Sequence, residues 1–499
     1  MSLLGLDVGT SGCKAVAFDE RGHALVSAGR EYAPTACPPG TLEIDPNHVW
    51  NAVAACLHEV AGACRADPIA ALSVSGFGEA AVPVDRAGQA LMNGILFTDP
   101  RGRAELEALT GKLGTEELSR RTGLPPHPMY TLLRLMWLRD HQPELYRQTR
   151  SYLQFAEYVA FRLTGEAATG HSLAARTMAF NVSALAWDET ILEAAGIPKD
   201  LFARALPGGA VIGAVLPSVA AELGLPKGVL VAAGGHDQPC AALGSGVIDG
   251  GQAIDSIGTS ECITTSFDRP VLDRALFQMN YHCGPHVAPG KYVTFAYTMS
   301  AGALLQWFRD TIGRAERQEA DRLGISVYEL MQGRIGSEPT GLLVLPHLDG
   351  GGTPSLDPQS RGAILGLGRR TTAAEIYRAM LEGVTFEMRH NLECLGGLGI
   401  RVDSLKACGG GARSAQWLQM KADILNRPIA TLENGEAGAL GAAMLAGVAA
   451  GLWPDAASAC QNMARESRRF EPDPKMAGRY EPNYRRYRRV YPAVRSILE

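Results

Sequence analysis

The chain has 499 residues, of which 46% are hydrophobic and 20% are charged. This composition excludes a disordered chain and predicts two or more domains with buried cores. The 47 basic and 52 acidic side chains give a formal net charge of −5. That balance excludes a global positive field for nucleic acid or an anionic membrane, and it favours a small-molecule partner.

The first predicted element is a strand over residues 3–8. It contains Asp7 and no basic segment precedes it, which is typical of a first strand and not of a signal peptide. The apolar run that follows, the turn at residues 20–22 and the run at residues 23–29 predict an antiparallel hairpin. Asp45 and Pro46 then predict the start of a helix.

One segment of the sequence occurs twice. LDVGTSGC at residues 6–13 returns as IDSIGTSEC at residues 254–262, about half a chain later. Each copy is a short apolar strand with an acidic residue, followed by a Gly-Thr-Ser turn. A repeat of this length is not that of a solenoid, so it predicts two related domains that face each other, with a boundary near residues 244–250.

Strands and helices alternate along the rest of the chain, which predicts the α/β class. Thr372 and Glu375 form a capping box at the start of a long helix. The uncharged stretch 437–453 is shorter than the roughly 20 residues of a membrane span, so we interpret it as a packed internal helix. The basic, aromatic C-terminus predicts an amphipathic closing helix, not a nucleic-acid tail. Further buried strands are predicted at residues 71–78, 229–237, 341–349 and 404–410.

The ten cysteines form no C-x-x-C pair and have no metal-ligand spacing. Reduced thiols in a cytoplasmic protein explain this pattern best. The cysteines are Cys13, Cys37, Cys56, Cys64, Cys240, Cys262, Cys283, Cys394, Cys408 and Cys460.

The repeated turns suit phosphoryl transfer. This reaction needs a phosphate cradle, a carboxylate that holds a metal ion, and a base near the acceptor hydroxyl. A Gly-Thr-Ser turn after a strand directs backbone N–H groups and hydroxyls at one point, and Asp7 beside the first turn can hold Mg²⁺ through water. A single such turn is compatible with an ordinary tight turn, but two predict a clasp around a polyphosphate.

A third glycine-rich loop, CGGGARSAQ, follows a predicted strand at Cys408 and precedes a helix near Ser414. Glycines there allow the backbone to approach a flat or charged ligand. The loop is not a Walker A motif and is an imperfect dinucleotide fingerprint. A plain strand-to-helix corner remains the alternative.

Asp237 is the candidate general base, because it follows an apolar strand and two glycines at a predicted helix start. The alternative is that Asp237 only caps this helix. His236 beside it is interpreted as orienting or structural. Glu79 and Asp99 follow two further strands and are candidate sugar-binding acids, with turn acids as the alternative.

Several of these motifs resemble the FGGY family of carbohydrate kinases over nearly the whole chain. The matching segments are LGLDVGTSGCKAVAFD, ILFTDPRG, RLTGEAATGHSLAARTMAFNVSALAWD, IDSIGTSEC, LEGVTFEMRHNLECL and CGGGARSAQWLQMKADILNRPI. The resemblance implies two actin-like, ribonuclease H-type domains with ATP and Mg²⁺ in the cleft between them. It also implies a sugar-binding lobe at residues 1–246 and a nucleotide-binding lobe at residues 247–499.

The resemblance also implies roles for individual residues. Asp7 would coordinate the metal, Asp237 would be the catalytic base, and Glu79, Asp99, Asp237 and Gln238 would contact substrate. The nucleotide would lie against Thr10, Ser11, Lys14, Gly258, Thr259, Gly409, Gly410, Gly411 and Gln416. Phe77, Gly78 and Glu79 stand where xylulokinases tend to have Gln-Met-His, so the implied acceptor is a small sugar or sugar alcohol of undetermined identity.

Two other classes share part of this pattern. An actin-like ATPase that couples nucleotide state to partner binding would keep the phosphate loops. A silent sugar sensor would keep the sugar-binding acids but lose Asp7 or Asp237. Because Asp7, Asp237, Glu79 and Asp99 are all present, the sequence favours a cytoplasmic sugar kinase with no nucleic-acid or membrane partner, and it leaves a homodimer open.

Overall fold

The computed structural model describes residues 1–36 and 41–498. Within these residues it contains two large mixed sheets, each covered by helices, which confirms the predicted α/β class. Cys37 lies outside the described residues, and the other nine cysteines are free thiols. No helix in the described part of the chain is both long enough and apolar enough to cross a membrane.

The first large sheet has six strands. Its central strand, Ser2–Val8, runs parallel to Ile69–Gly76 and antiparallel to Gly12–Phe18, as the predicted hairpin requires. The order across the sheet is Val211–Ala214, Leu230–His236, Ile69–Gly76, Ser2–Val8, Gly12–Phe18 and Ala24–Glu31.

The second large sheet has seven strands and repeats this pattern. Its central strand, Gly251–Ile257, runs parallel to Val402–Cys408 and antiparallel to Glu261–Phe267. The order is Gly284–Pro285, Tyr292–Thr298, Glu261–Phe267, Gly251–Ile257, Val402–Cys408, Ile429–Leu432 and Glu466–Phe470. The internal repeat is therefore a repeat of strand order and direction.

Short strands pair outside the two sheets. The pairs are Ala168–Gly170 with Arg204–Leu206, Phe180–Asn181 with Ala186–Trp187, Leu343–Leu345 with Ala363–Leu365, and Ala81–Val84 with Ser151–Gln154, beside the three-stranded group Thr35–Ala36, Leu42–Ile44 and Gly94–Ile95.

Helices begin where the capping signals predict. Asp45 accepts a hydrogen bond from the Asn47 N–H at the first helix, and Thr372 and Glu375 form both bonds of the capping box. The α-helices are Pro46–Ala63, Arg103–Leu113, Thr115–Thr122, Thr131–His141, Pro143–Gln148, Phe155–Thr164, His171–Ala174, Glu189–Ala195, Pro217–Leu223, Asp237–Gly244, Arg274–Gln278, Gly302–Asp310, Arg314–Leu323, Val327–Gln332, Ala373–Gly397, Ala415–Leu425, Ala437–Ala449, Ala456–Met463, Pro474–Tyr487 and Val490–Leu498.

The uncharged helix Ala437–Ala449 is internal, as predicted, but it covers the sheet of the other half. Its leucines and alanines share a core with Leu3, Val16 and Phe18 of the first sheet. The backbones approach closely, because a Cβ atom added to Gly5 would lie 1.7 Å from the Ala439 carbonyl oxygen. The two halves of the chain therefore share one of the hydrophobic cores.

The C-terminal helices pack against the second half. Tyr480, Tyr484 and Tyr487 are buried in its core, while most of the neighbouring arginines are exposed. The amphipathic closing helix predicted from the sequence is thus confirmed, as two consecutive helices.

Candidate active site

The first phosphate loop, residues 9–12, closes the hairpin between Val8 and Cys13. Its carbonyl groups are held on the side of Tyr32, whose hydroxyl donates to the oxygens of Gly9 at 2.7 Å and Gly12 at 3.0 Å. This arrangement leaves Thr10 and Ser11 at the tip of the turn, where they are partly exposed. Such a turn is suited to an anion, because its carbonyls point elsewhere.

Asp7 lies on the strand that leads into this loop. Its Oδ1 accepts a hydrogen bond of 2.8 Å from Ser75 on the neighbouring strand. A Cβ atom on Gly438 would lie 3.1 Å from Oδ2, so the glycine leaves room for the carboxylate. Burial raises the pKa of Asp7, and the nearby charge of Glu436 raises it further, against the opposing effects of Ser75 and Lys14.

Lys14 faces Asp7 across the hairpin. Its ammonium group is 2.5 Å from the Glu436 carboxylate, which comes from the other half of the chain. This ion pair is partly exposed, with 41% and 38% of the two side chains accessible. Lys14 therefore reaches the cleft edge near the first loop, held by a carboxylate that an anion can compete with.

The second phosphate loop, residues 258–260, is closed between Ile257 and Glu261. The Gly258 oxygen accepts from the Gly302 N–H, and the Thr259 oxygen accepts from the N–H groups of Ala301 and Ala303. These bonds, of 2.9 to 3.0 Å, tie the loop to the start of helix Gly302–Asp310. As in the first loop, carbonyl groups are bound on one side and the turn faces the cleft with the other.

A buried ion cluster lies behind the second loop. Lys421 is 2.5 Å from Glu261 and 3.0 Å from Asp255, and all three side chains are completely inaccessible to solvent. Burial alone would lower the pKa of Lys421, but the two carboxylates raise it above its ordinary value. Asp255, the acidic residue of the second copy of the repeat, is thus neutralised inside its own half.

The third loop and the second one line a single cavity of about 590 Å³, a volume typical of small-ligand sites. Gly258, Thr259, Gly410 and Gly411 belong to its wall. Aromatic and polar side chains complete it, among them Tyr328, Tyr377, Trp417, Gln306 and Gln332. A flat base and ribose fit such a lining.

The third loop itself is a short 3₁₀ turn over Gly410–Arg413, and Ser414 caps the helix that follows by accepting from the Trp417 N–H. Position 409 requires a glycine, because its φ is 84° and an added Cβ atom would lie 2.6 Å from the Ile257 carbonyl oxygen. Gln416 is half-buried on the first turn of that helix.

Asp237 is the first residue of helix Asp237–Gly244, and His236 occupies the capping position. The Asp237 Oδ1 accepts a hydrogen bond of 2.6 Å from the Gln238 N–H, and 39% of the Asp237 side chain remains accessible to solvent. Although this fraction is accessible, the surrounding protein removes much of the water around the carboxylate and raises the pKa of Asp237 to about 7, with further contributions from the charges of Asp7 and Glu79. The charge of Asp7 therefore acts on Asp237.

Residues of the second half complete this site. The Thr264 hydroxyl donates to the Gln238 Oε1 at 3.2 Å, and the ring of Phe295 stacks on His236 with centroids 5.5 Å apart. Burial, together with the charge of Arg176, holds the pKa of His236 well below its ordinary value, so the imidazole is neutral.

Glu79 is buried and paired with Arg176. The arginine Nε donates to Glu79 Oε1 at 2.6 Å, and a second guanidinium nitrogen is 2.5 Å from the same oxygen. Only 7% of the Glu79 side chain and 10% of the Arg176 side chain are accessible. Both charges act on Asp237, and Arg176 and His236, the residue before Asp237, line one small cavity.

Asp99 is fully enclosed. Arg101 donates two hydrogen bonds to its two oxygens, at 2.8 and 2.7 Å, and the Leu42 N–H donates a third. Burial alone would raise the pKa of Asp99, but these bonds hold it below its usual value. The carboxylate is thus bonded to protein groups, and Arg101, which also contacts Glu43 at 2.9 Å, is the more accessible side chain.

Sequence reasoning assigned no role to several residues that shape these sites. Tyr32, Ser75, Gly438 and Trp417 reach them through contacts between distant parts of the chain, which no local pattern encodes. Arg176 lies in the segment RLTGEAATGHSLAARTMAFNVSALAWD, which resembles the FGGY family. This resemblance was the sequence signal that could have indicated a functional role for Arg176. In the described ranges, no group of three or more His, Cys, Asp or Glu side chains forms a ready metal site.

Comparison with known proteins identifies the family. The N-terminal domain of the FGGY family of carbohydrate kinases matches residues 2–244, and the C-terminal domain of that family matches residues 254–450. Xylulose kinase of Bacillus subtilis (strain 168) is 30% identical over 501 residues, which is 99% of this chain and 97% of that protein.

Solved structures of carbohydrate kinases have the same fold over nearly the whole length of this chain. A xyloylose kinase from Brucella ovis has a TM-score of 0.89 and 28% identity and covers 100% of both chains. A gluconate kinase from Lactobacillus acidophilus has a TM-score of 0.89 and 27% identity and covers 99% of this chain and 98% of that one. These matches do not favour the actin-like ATPase alternative. The chain belongs to the FGGY family of carbohydrate kinases, and it is an ATP-dependent phosphotransferase with the two-domain fold of those enzymes.

Proposed function

We propose that Asp237 is the general base that deprotonates the acceptor hydroxyl of a small sugar or sugar alcohol. The observation that carries the proposal is the position of Asp237, partly accessible at the start of a helix, where the charges of Asp7 and of the Glu79–Arg176 pair act on it and its pKa is raised to about 7. A carboxylate with a pKa raised towards neutrality accepts a proton more readily than an ordinary one.

The nucleotide is proposed to lie across the cleft. Its adenosine would occupy the 590 Å³ cavity beside Trp417, Gly410 and Gly411, where Thr259 also lies. Its phosphates would then extend from the second loop towards Thr10 and Ser11 of the first loop. Gly409 and Gln416 would support the adenosine site from the third loop, and Lys14 would reach the phosphates by leaving Glu436.

Mg²⁺ is proposed to be held at Asp7. Burial raises the pKa values of Asp7 and Asp237; the charge of Glu436 raises that of Asp7 further, and the charge of Asp7 raises that of Asp237. Carboxylates gathered in this way favour a divalent cation. Mg²⁺ commonly uses one or two carboxylates, phosphate oxygens and water, so the absence of a ready three-ligand cluster among the described residues fits. When bound, the ion would neutralise charge on the transferred phosphoryl group.

The substrate is proposed to bind against Glu79, Asp237 and Gln238, with Asp99 acting through the guanidinium of Arg101 that it holds. The sugar-binding lobe would be residues 1–246 and the nucleotide-binding lobe residues 247–499, with Phe295 of the second lobe closing over the sugar. Free thiols at all nine described cysteines support a cytoplasmic location.

Replacing Asp237 with Asn tests the assignment. Sugar-stimulated ADP release should fall by about 10²- to 10⁴-fold, because proton acceptance is lost, while the Kd for ADP measured by calorimetry stays within about twofold. Asp273→Asn is the matched control, since Asp273 is exposed at the start of another helix. Turnover of Asp237→Asn within tenfold of the wild type would reject Asp237 as the base.

A further inference from the structure

Glu79 of the Glu79–Arg176 pair has a backbone conformation of a kind that is common at ligand sites. Glu79 has a φ of 70°, in the left-handed region that non-glycine residues rarely adopt. Its backbone is fixed there by two hydrogen bonds: its N–H donates to the Gln154 Oε1 at 3.0 Å, and its carbonyl oxygen accepts from Thr131 at 2.9 Å. Strained residues that the surroundings hold in place cluster at ligand sites.

Arg176 is fixed on its other sides by aromatic rings. Its guanidinium carbon lies 5.4 Å from the ring centre of Tyr130 and 5.7 Å from that of Phe295. A Cβ atom on Gly78 would lie 3.0 Å from the Arg176 side chain, so the turn before Glu79 packs directly on the arginine. The guanidinium therefore has little freedom to leave Glu79.

The charged side chains that act on Asp237 are two further carboxylates and one guanidinium. Asp237 is influenced by the carboxylates of Asp7 and Glu79 and by the guanidinium of Arg176. Burial and the charge of Arg176 hold the pKa values of His236 and His282 well below the ordinary value, so both rings are neutral. Arg176 is already paired with Glu79 before any substrate enters, and Arg101 is paired with Asp99 and Glu43.

We propose that the Glu79–Arg176 pair selects uncharged ketoses and polyols and rejects aldonates, the sugars that carry a carboxylate. This inference rests on the proposed sugar site. An aldonate carboxylate would either displace Glu79 from Arg176, leaving a buried carboxylate unpaired, or remain unpaired itself beside Asp237 and Asp7. Hydroxyl groups have no such requirement, and they can donate to Glu79 without breaking the ion pair.

The test compares uncharged and negatively charged substrates that have the same number of carbon atoms. D-xylulose and xylitol are compared with D-xylonate, and sorbitol is compared with D-gluconate, by the kcat/KM of ADP release in wild-type enzyme. We expect the best uncharged substrate to exceed every aldonate by at least about 10²-fold, since juxtaposed like charges discriminate strongly. A wild-type enzyme that uses an aldonate as well as its best uncharged substrate would overturn the proposal.

Glu79→Gln then tests the mechanism of selection. Without the carboxylate, Arg176 is free to bind an aldonate, so the preference for uncharged substrates should narrow by at least about tenfold through a gain in aldonate turnover. The double variant Glu79→Gln with Arg176→Gln should lose that gain. An unchanged preference in a Glu79→Gln enzyme that binds ADP normally would contradict the role of the pair.

A binding measurement on the wild-type enzyme tests the proposal even if the variants are impaired. The Kd of wild-type enzyme for D-gluconate and for sorbitol, from calorimetry with ADP present, should favour sorbitol, and equal affinities would count against the proposal. Failure of this proposal is distinct from failure of the general-base assignment. An enzyme that phosphorylates aldonates but loses that activity in Asp237→Asn refutes only the selection by charge.

Discussion

The two phosphate loops share one backbone arrangement but treat their acidic residues differently. In the first hairpin Asp7 faces the cleft, bonded to Ser75 and close to Asp237 and Glu436. In the second hairpin Asp255 is completely buried and paired with Lys421. The same strand-and-turn unit thus leaves a carboxylate available for a ligand in one half and encloses it in the other.

This difference shows that the repeat preserves strand order and loop shape more closely than chemistry. The second loop is held rigidly by the ion cluster behind it and by the N–H groups of residues 301–303. The first loop is held by Tyr32, a neutral side chain, and adjoins the charged cleft. In one half the loop is tied to its surroundings by many hydrogen bonds and ion pairs, and in the other a charged residue lies beside the loop.

The largest expected effect is on the buried cluster. Lys421→Met leaves Asp255 and Glu261 buried without a cation, which should lower the free energy of unfolding by about 3–5 kcal/mol. Urea unfolding measures it. Lys406→Met is the control, because the Lys406–Glu466 pair is longer, at 3.6 Å, and partly exposed; its cost should stay below about 1 kcal/mol. Equal costs for the two variants would break the comparison.

Asp7→Asn should act on catalysis. We expect kcat/KM at saturating Mg²⁺ to fall by about 10²-fold or more, because the ion's contribution to charge stabilisation is worth several kcal/mol. Stability should be retained, since the raised pKa of Asp7 shows that folding disfavours its charged form. Asp255→Asn should do the reverse and lower stability while leaving the Mg²⁺ dependence unchanged. Identical Mg²⁺ titrations for wild type and Asp7→Asn would contradict the metal assignment.

The pH dependence gives the smallest effect, a tenfold change per pH unit. The pKa of Asp237 is raised to about 7, so below this pH the carboxyl group is protonated and cannot accept the hydroxyl proton. We therefore expect kcat/KM to fall with unit slope below about pH 7 and to level off above it. Residual activity of Asp7→Asn should show a lower apparent pKa, because one source of negative charge is gone. A flat profile down to pH 5 would refute the coupling.

Local signals predicted most of the scaffold. The hairpins, the caps at Asp45 and Thr372 and the helix after Ser414 depend on residues within a few positions of each other, and the structure has all of them. Contacts between distant segments were not predictable in this way. Asp99 was expected to face a sugar, but Arg101 and the Leu42 N–H enclose it. Arg101 is only two residues away, whereas the Leu42 contact spans 57 positions and no local pattern indicates it.

The candidate site divides along the same line. Asp7, Asp237 and the glycines of the loops were found from strand ends and turns, where backbone geometry limits the choice of residue. Arg176 pairs with Glu79 across 97 positions of the chain. Such a pairing requires the path of the intervening helices, so the sequence indicated the acid but not its partner.

Helix Ala437–Ala449 also has a consequence for biosynthesis. This helix covers Leu3, Val16 and Phe18. The amino-terminal sheet therefore has an exposed hydrophobic surface until the ribosome has synthesised most of the polypeptide. A fragment ending near residue 246 would expose that surface to water and should aggregate. The amino-terminal half can therefore complete its folding only after helix Ala437–Ala449 has been synthesised.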